Sequence, residues 1–276
     1  DEPPLPPMAG TSDLSRFRAD AWFLPDEELL GFVEIPAGPF LMGSDPGLDP
    51  LAFDNEYWLD TGGRATVELP TLYIGRYEVT VAQFRAFVEA TGYRADPAAV
   101  AGVADHPVVA VSWTDALSYA RWLEGQLREF RETPAELARL LGEGWRVTLP
   151  TEAEWEKAAR GPEGLAYPWG DRWDSNKVWS IDRILGRSLN SFEAWSRAQQ
   201  DIAVLTTVAR PAQVGSYPDG SSPYGAMDMA GNVWEWVADW FGPEYYSESP
   251  QRNPKGPESG EFRVLRGGAW TVPRVV

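Results

Sequence analysis

The sequence of 276 residues contains no cysteine. This absence excludes a disulfide, a thiolate nucleophile and a cysteine metal ligand within it, although it does not identify a redox compartment. Histidine is nearly absent, since His106 is the single one. An iron site built from two histidines and a carboxylate is therefore excluded within this chain. His106 precedes Pro107 in an apolar run, which favours a packed loop histidine over a catalytic base.

Basic residues are scarce, with 24 Lys and Arg against 41 Asp and Glu, and the formal net charge is -17. An acidic surface of this kind repels nucleic acids and anionic membranes, so no nucleic-acid partner is expected. It is compatible with bound cations or with a basic partner. No apolar run approaches the roughly 18 residues needed to span a bilayer, so no transmembrane segment is predicted in this chain.

The first seven residues, Asp-Glu-Pro-Pro-Leu-Pro-Pro, are typical of an extended, poorly packing stretch. We expect residues 1–30 to form an N-terminal tail or linker. It is either a frayed terminus or a tether that followed a removed signal or membrane anchor. The second alternative predicts a periplasmic or extracellular protein, tethered to a membrane through a partner or through that removed segment.

Hydrophobic spacing and turn residues predict one α+β domain over residues 31–276. Strands are expected within 31–43 and 72–79 and at 224–240 and 262–270. Capping signals predict helices that start at Thr80, near Thr114, at Thr133 and at Thr151, the last two with a Glu at the third position. Residues 162–222 are expected to be mostly loop, with a helical patch around 190–200.

Distinctive motifs follow one another along this domain. They are Phe-Val-Glu-Ile-Pro-Ala-Gly-Pro-Phe-Leu-Met-Gly at 32–43, Tyr-Glu-Val-Thr at 77–80, His-Pro-Val-Val-Ala-Val-Ser-Trp at 106–113, Leu-Pro-Thr-Glu-Ala-Glu-Trp-Glu at 149–156, Tyr-Pro-Trp-Gly at 167–170, Met-Ala-Gly-Asn-Val-Trp-Glu-Trp at 229–236 and Arg-Val-Leu-Arg-Gly-Gly-Ala-Trp at 263–270. In this order they resemble the formylglycine-generating enzyme family, also called the sulfatase-modifying-factor domain. The resemblance implies an α+β fold, the formylglycine-generating-enzyme-type variant of the C-type lectin fold, loop-rich and low in regular secondary structure. The motif tryptophans are expected to form a core.

The resemblance also locates what is missing. Oxidases of this family place a copper-binding cysteine two residues after the aromatic of the Gly-Gly-Ser-aromatic run, and a second cysteine five residues later. Here the run ends at Trp270, Val272 occupies the first cysteine position, and the second falls beyond Val276. Ala120 replaces a further cysteine that some relatives use in a disulfide. Valine offers no thiolate and no metal lone pair, so we expect no copper and no enzyme activity of the family's kind.

A calcium site is predicted in the segment from Asp228 to Glu235. Two carboxylates bracket backbone carbonyls in a glycine-containing turn, a mixed oxygen set that Ca²⁺ accepts. The resemblance implies Asp228, Glu235 and the carbonyls of Gly231 and Val233 as ligands. The alternative is that Glu235 pairs with an arginine and the turn holds itself.

A second calcium site of the family maps onto Asn176 and the carbonyl of Lys177. A long insert over residues 180–207 follows, and the acid that would complete this site is not evident. One calcium ion is therefore expected, with the second in question.

We expect a non-catalytic domain that acts as a structural or interaction subunit of an extracytoplasmic or membrane-associated complex, with a protein partner. The inserts at 124–146 and 180–207 are either partner surfaces or neutral loop growth. One alternative is a ligand-displaying variable protein of a diversity-generating retroelement, since such proteins use this fold. Another is an enzyme of different chemistry that uses acids such as Glu152, Glu154, Asp228 and Asp239.

Overall fold

The structure is a computed structural model that describes residues 10–45, 47, 58, 63–189, 191–205 and 210–272. The chain forms two compact units, which are described separately. The first unit consists of Asp1–Val33 and Gly75–Leu149, and the second of Glu34–Ile74 and Pro150–Val276. Within the described residues, no helix combines the length and the apolarity that crossing a membrane requires.

The first unit is mainly helical. Its elements are the antiparallel strands β1 (Phe17–Arg18) and β2 (Leu24–Pro25), and the helices α1 (Val81–Thr91), α2 (Pro97–Ala101), α3 (Trp113–Glu129) and α4 (Ala135–Gly142). Helix α1 begins as predicted, because the Thr80 hydroxyl accepts from the N–H of Gln83 and the Gln83 side chain accepts from the N–H of Thr80. Helix α3 uses the same reciprocal cap between Ser112 and Asp115.

The core of the first unit draws on the stretch expected to be a tail. Its buried apolar residues are Ala21, Leu24, Leu30, Phe84, Phe87, Val88, Ala99, Val100, Tyr119, Leu123, Leu127 and Leu141. Trp22 packs edge-on against Phe130 with ring centroids 5.2 Å apart. Residues 10–30 are thus part of a packed unit, because their scattered apolar side chains find partners on α1 and α3. The remainder of the expected tail, residues 1–9, lies outside the described residues.

Helix α4 was predicted with Thr133 as its cap, and this detail is wrong. Pro134 is the residue that precedes the helix, and no side chain caps it. The Thr133 hydroxyl instead donates to the carbonyl of Leu127 at 2.7 Å. A hydroxyl that bonds backward to the preceding helix is unavailable to the following one.

The second unit combines short antiparallel ribbons with helices. Its elements are β4 (Gly38–Met42), β5 (Ala65–Leu69), α5 (Glu152–Arg160), α6 (Ile181–Leu185), α7 (Phe192–Leu205), β7 (Glu235–Trp240), α8 (Tyr245–Glu248) and β8 (Arg263–Arg266). Strands β3 (Phe32–Ile35) and β6 (Leu72–Gly75) pair with each other. Strand β4 pairs with β5, and β7 pairs with β8 so that Glu235 lies opposite Arg266. The helical patch predicted around 190–200 is present as α7.

Helix α5 is the buried centre of the second unit. It has the predicted cap, in which Thr151 and Glu154 bond reciprocally. Eight of its nine residues are buried, several of them charged. The Lys157 ammonium donates to the carbonyls of Pro36 at 2.6 Å and Gly38 at 2.9 Å. Since a buried charge must be bonded to be tolerated, these contacts fix α5 beside the turn that precedes β4.

Glu156 and Arg160 form a buried ion pair on the same helix, with 2.6 Å between Nη1 and Oε1. The Glu156 carboxylate also accepts from the N–H of Gly43 at 2.8 Å. The guanidinium donates further to the carbonyls of Gly43 and Gly164. Both charges are therefore compensated inside the protein, and neither partner can be removed without leaving the other unpaired.

The tryptophans do not form the single core that the motifs suggested. Trp155 is buried, whereas Trp234 is 41 % exposed. Trp113, Trp169, Trp236 and Trp270 are partly exposed. A partly exposed indole ring can still use its polar atom, as Trp169 does when it donates to the carbonyl of Arg172 at 2.9 Å.

Removing the guanidinium from the buried pair should be costly. We expect Arg160→Met to lower the free energy of unfolding by about 3–5 kcal/mol, because Glu156 would remain buried and unpaired. Arg197→Met is the matched control, since Arg197 pairs with Glu193 at the same helical spacing with both side chains 75 % exposed. That control should cost less than about 1 kcal/mol. Urea titration of both variants measures the difference, and equal losses would contradict the assignment.

Candidate functional site

The segment from Asp228 to Glu235 forms a tight turn in the second unit. Asp228 and Asn232 adopt left-handed backbone angles, with φ of 61° and 56°, and Gly231 has φ of 75°. The N–H of Gly231 donates to the carbonyl of Gly267 at 2.7 Å. A Cβ at position 231 would lie 2.6 Å from the carbonyl oxygen of Trp179, so only glycine fits there. The turn is thus locked against two neighbouring segments.

Asn232 ties this turn to three other segments of the second unit. Its N–H donates to the carbonyl of Trp179 at 2.9 Å, and its carbonyl accepts from Trp270 at 2.9 Å. Its side-chain oxygen accepts from the N–H of Ala212 at 2.8 Å. Asn232 is 2 % exposed, so this buried residue satisfies the backbone groups of three segments through hydrogen bonds.

The two carboxylates of the turn occupy different surroundings. Asp228 is buried, and its Oδ2 accepts from the N–H of Gly215 at 2.6 Å. Glu235 accepts from the indole N–H of Trp155 through Oε2 at 3.1 Å. Its Oε1 is buried and has no hydrogen-bond partner among the residues that the structure describes. Burial, together with the charge of Asp228, raises the pKa of Glu235 to about 7, and the hydrogen bond from Trp155 opposes this rise.

The donor types of this turn are those that a calcium ion takes. Ca²⁺ takes six to eight oxygens and mixes carboxylates with backbone carbonyls. A cation beside Asp228 and Glu235 would satisfy the unpartnered Oε1 and offset the repulsion between the two acids. Over the described ranges no cluster of three or more Asp, Glu, His or Cys side chains could hold a metal. Such a site would therefore depend on carbonyls such as those of Gly231 and Val233, which stay predicted ligands.

The alternative to a calcium ion was an ion pair between Glu235 and an arginine. The partner seen on the Glu235 carboxylate is the indole of Trp155, a neutral donor that leaves the charge uncompensated. Sequence reasoning did not single out Trp155 or Asn232 for these contacts. The Gly-Asn pair did carry a signal for the turn, because both residue types tolerate left-handed angles.

The second predicted calcium site has another cation in place. Arg183 Nη1 donates to the side-chain oxygen of Asn176 at 3.2 Å and to the carbonyl of Ser175 at 3.4 Å. The carbonyl of Lys177 lies against Gly220, where a Cβ would stand 2.0 Å away. The amide oxygen of Asn176 thus has a guanidinium partner in this structure, and a calcium ion between Asn176 and Lys177 stays a prediction.

The glycine run after β8 leads to Val272, which occupies the first cysteine position of the family. Gly267 and Gly268 have φ of 91° and 77°. The N–H of Val272 donates to the carbonyl of Ala269 at 3.1 Å, which turns the chain there. An isopropyl group therefore stands where the resemblance expects a cysteine.

The acids offered as alternative catalytic groups have structural tasks. Glu152 accepts from the hydroxyl of Tyr246 at 2.9 Å. Glu154 accepts from the N–H of Thr151 at 2.8 Å as part of the helix cap. Asp239 Oδ2 accepts from the N–H of Glu152 at 2.8 Å and so caps α5 from a distance. Each of the three acids thus accepts a hydrogen bond within the fold.

His106 is a packed residue of the first unit. Its ring Nδ1 lies 3.0 Å from Oδ1 of Asp105, and its carbonyl accepts from Val81 at the start of α1. Asp105 is buried and accepts from the N–H of Asp13 at 2.8 Å. The surroundings are those of a structural loop histidine.

Asp239 should make stability depend on pH. Burial, followed by the charge of Glu154, raises the pKa of Asp239 to about 7 from an ordinary value of 3.8, while Lys255 and Arg263 oppose the shift. The protonated acid is favoured in the folded state, so its contribution is complete below pH 4 and is lost as the pH rises through 7. Up to about 4 kcal/mol is involved.

The free energy of unfolding is measured from pH 4.5 to 8 in buffers that contain a metal chelator. The wild type should lose stability as the pH rises, and Asp239→Asn, which keeps an acceptor for Glu152, should flatten that slope. Parallel slopes for the two proteins would rule out Asp239 as the cause.

Comparisons with known proteins agree with the motifs. The family model for the sulfatase-modifying factor enzyme 1-like domain matches residues 23–275. The formylglycine-generating enzyme of Streptomyces coelicolor is 35% identical over 87% of this chain and 78% of its own. The structure of PvdO from Pseudomonas aeruginosa matches with a TM-score of 0.59 and 25% identity, over 88% of this chain and 83% of its own. Treponema denticola variable protein 1, with a TM-score of 0.57 and 24% identity over 87% of this chain and 83% of its own, shares the fold. The loop-rich α+β chain described here therefore belongs to the family of sulfatase-modifying factor enzyme 1-like, or formylglycine-generating-enzyme-like, domains.

Proposed function

We propose that this chain is a non-catalytic member of its family, and that it acts as a structural or interaction subunit of a protein assembly. One observation carries the proposal: the family scaffold holds valine at position 272 and has no cysteine in 276 residues. Without cysteine the chain has no thiolate pair to hold Cu(I) and no thiol to exchange with a substrate thiol.

The surroundings of position 272 support the same conclusion. Ala269 and Val272 both line a mostly apolar pocket. The acids Glu152, Glu154 and Asp239 are already engaged in caps and hydrogen bonds. A nucleophile or a general base in hydrogen-bond reach of a reacting atom is the usual requirement for other chemistry.

We assign the chain to the periplasm or the extracellular space as part of the same proposal.

Calcium has a structural role in this proposal. It would be held by Asp228 and Glu235 with the carbonyls of Gly231 and Val233, and it would stiffen the turn that Asn232 connects to other segments. A cation that binds the folded state and not the unfolded chain stabilises folding by mass action. Its function would be to hold a surface for a partner, with no part in a reaction.

The activity test uses the purified chain with Cu(I), oxygen and a peptide that contains one cysteine. We expect no loss of the thiol and no aldehyde by mass spectrometry, while the formylglycine-generating enzyme of Streptomyces coelicolor serves as the positive control. Copper-dependent aldehyde formation by this chain alone would overturn the proposal.

Material isolated from the native source should also run as a stoichiometric complex larger than the 30.6 kDa chain. A lone monomer would count against a subunit role.

The calcium test compares the wild type with Glu235→Gln by calorimetric titration and thermal unfolding. One ion should bind the wild type, and excess Ca²⁺ should raise its melting temperature by several degrees, a stabilisation of about 3–4 kcal/mol at 100- to 1,000-fold excess over Kd. Glu235→Gln should abolish both effects.

The matched control is Glu258→Gln, since Glu258 is an exposed acid of the same unit. It should bind calcium as the wild type does. An absent heat of binding in the wild type, or an equal response of Glu235→Gln, would remove calcium from the site.

A further inference from the structure

Two phenylalanines are neighbours at one end of the ribbon formed by β7 and β8. Strand β7 ends at Trp240, which lies opposite Arg263 at the start of β8. The next residues outward stay linked, because the N–H of Phe241 donates to the carbonyl of Phe262 at 2.7 Å. Residues opposed in this way have Cβ atoms about 4.5–5.5 Å apart. The side chains of Phe241 and Phe262 therefore leave the backbone next to each other.

Both phenyl rings are exposed to solvent. Phe262 is 64 % exposed and Phe241 is 37 % exposed. The adjacent ring of Trp240 differs, since the guanidinium carbon of Arg263 lies 3.4 Å from its centroid and covers it. Neither phenyl ring has a ring contact or a cation of this kind among the described residues. Single exposed apolar residues are normal on a protein surface, whereas adjacent aromatic rings are typical of interfaces.

The loop that joins β7 to β8 surrounds these rings with acids. Its exposed acids are Glu244, Glu248, Glu258 and Glu261. None of them forms an ion pair within the part of the chain that the structure describes. Glu244 follows Phe241 by three positions, and Glu261 directly precedes Phe262. These two phenylalanines and these two flanking acids are called the phenyl patch.

The two cations of the same loop are engaged elsewhere. Arg252 pairs with Glu68 at 3.1 Å, and Lys255 pairs with Glu154 at 3.1 Å. The acids of the phenyl patch are therefore not neutralised by their own loop. A surface of this kind attracts positive charge and repels negative charge.

Charge decides which occupant the phenyl patch favours. A second copy of this chain, placed patch on patch, would bring the acids against the same acids, and an anionic membrane would also be repelled. Residues 1–9 and 48–57 contain acids but no Lys or Arg, so they are disfavoured as well. A polypeptide that carries Lys or Arg beside apolar side chains complements both the acids and the rings.

We propose that the phenyl patch docks a basic segment of a partner protein. An apolar side chain of the partner covers the two phenyl rings, and its Lys or Arg side chains pair with Glu244 and Glu261. The inference rests on the proposed function, because it gives an interaction subunit its surface and its partner a chemistry.

The binding test follows the fluorescence anisotropy of labelled peptides mixed with the purified chain. The peptide Lys-Leu-Lys-Leu-Lys should bind saturably. Lys-Ser-Lys-Ser-Lys keeps the charge and lacks the apolar side chains, so it should bind at least about fivefold more weakly. Added salt should weaken both peptides, because the ion pairs of the contact face water.

Phe262→Ser removes the more exposed ring of the patch. It should weaken the binding of Lys-Leu-Lys-Leu-Lys about tenfold, since aromatic anchors dominate the energy of an interface. Val109→Ser is the matched control, because Val109 is an apolar residue of the first unit that is 39 % exposed. That control should leave the affinity unchanged. Both substituted side chains are exposed, so both variants should keep the wild-type melting temperature.

A double variant, Glu244→Gln with Glu261→Gln, tests the acids of the patch. It should weaken both peptides and reduce their dependence on salt. The matched control is Glu34→Gln with Glu163→Gln, which removes the same charge from two exposed acids of the second unit. General attraction to a net charge of -17 would weaken the two double variants equally, whereas docking at the patch predicts a loss in the first alone.

Three results would overturn the proposal: no saturable binding of Lys-Leu-Lys-Leu-Lys, equal affinities in the wild type and Phe262→Ser, or equal losses in the two double variants. If the peptides fail, two further measurements identify the occupant. Binding to phosphatidylcholine vesicles that Phe262→Ser abolishes would assign the patch to a membrane. Dimerisation that Phe262→Ser abolishes would assign it to a second copy of the chain. Either assignment would replace the proposal.

The native complex separates this inference from the proposed function. Within such a complex, Phe262→Ser should release the partner and Val109→Ser should retain it. A complex that survives both substitutions would overturn the docking surface while the subunit role stands. A lone monomer would count against the subunit role, and the peptide titrations would then decide the docking surface by themselves.

Discussion

The second unit depends on the buried side chain and backbone of Asn232. One residue with a left-handed backbone joins segments at 179, 212 and 270 to the turn that contains Asp228 and Glu235. In a unit with short helices and ribbons, ladders of hydrogen bonds cannot supply this cohesion. A fold that is low in regular secondary structure must satisfy its buried backbone groups one at a time, and an amide side chain can donate and accept at once.

Helix α5 extends this arrangement to the other side of the unit. Trp155 bonds to Glu235 in the turn, while Glu156 and Lys157 on the same helix bond to the backbone around β4. The helix thus links the candidate calcium turn to the first ribbon of the unit. None of these contacts involves position 272, so this part of the scaffold does not depend on a sulfur atom there.

Local signals in the sequence predicted what is local in the structure. The caps at Thr80 and Thr151 depend on residues three positions apart, so they could be read directly. The motif resemblance located the turn and Val272. Other features depend on contacts between distant segments, which no spacing reveals. Examples are the packing of residues 10–30, the partner of the Thr133 hydroxyl, and Arg183 on Asn176.

The buried pair of Glu156 and Arg160 has a consequence for the response to ionic strength. Mobile ions screen charges that face water, and they reach a pair enclosed by backbone much less. The sequence has a net charge of -17, and acids that face water repel one another. Added salt would weaken this repulsion while it leaves the enclosed pair intact. The folded chain is therefore more stable at high ionic strength than at low ionic strength.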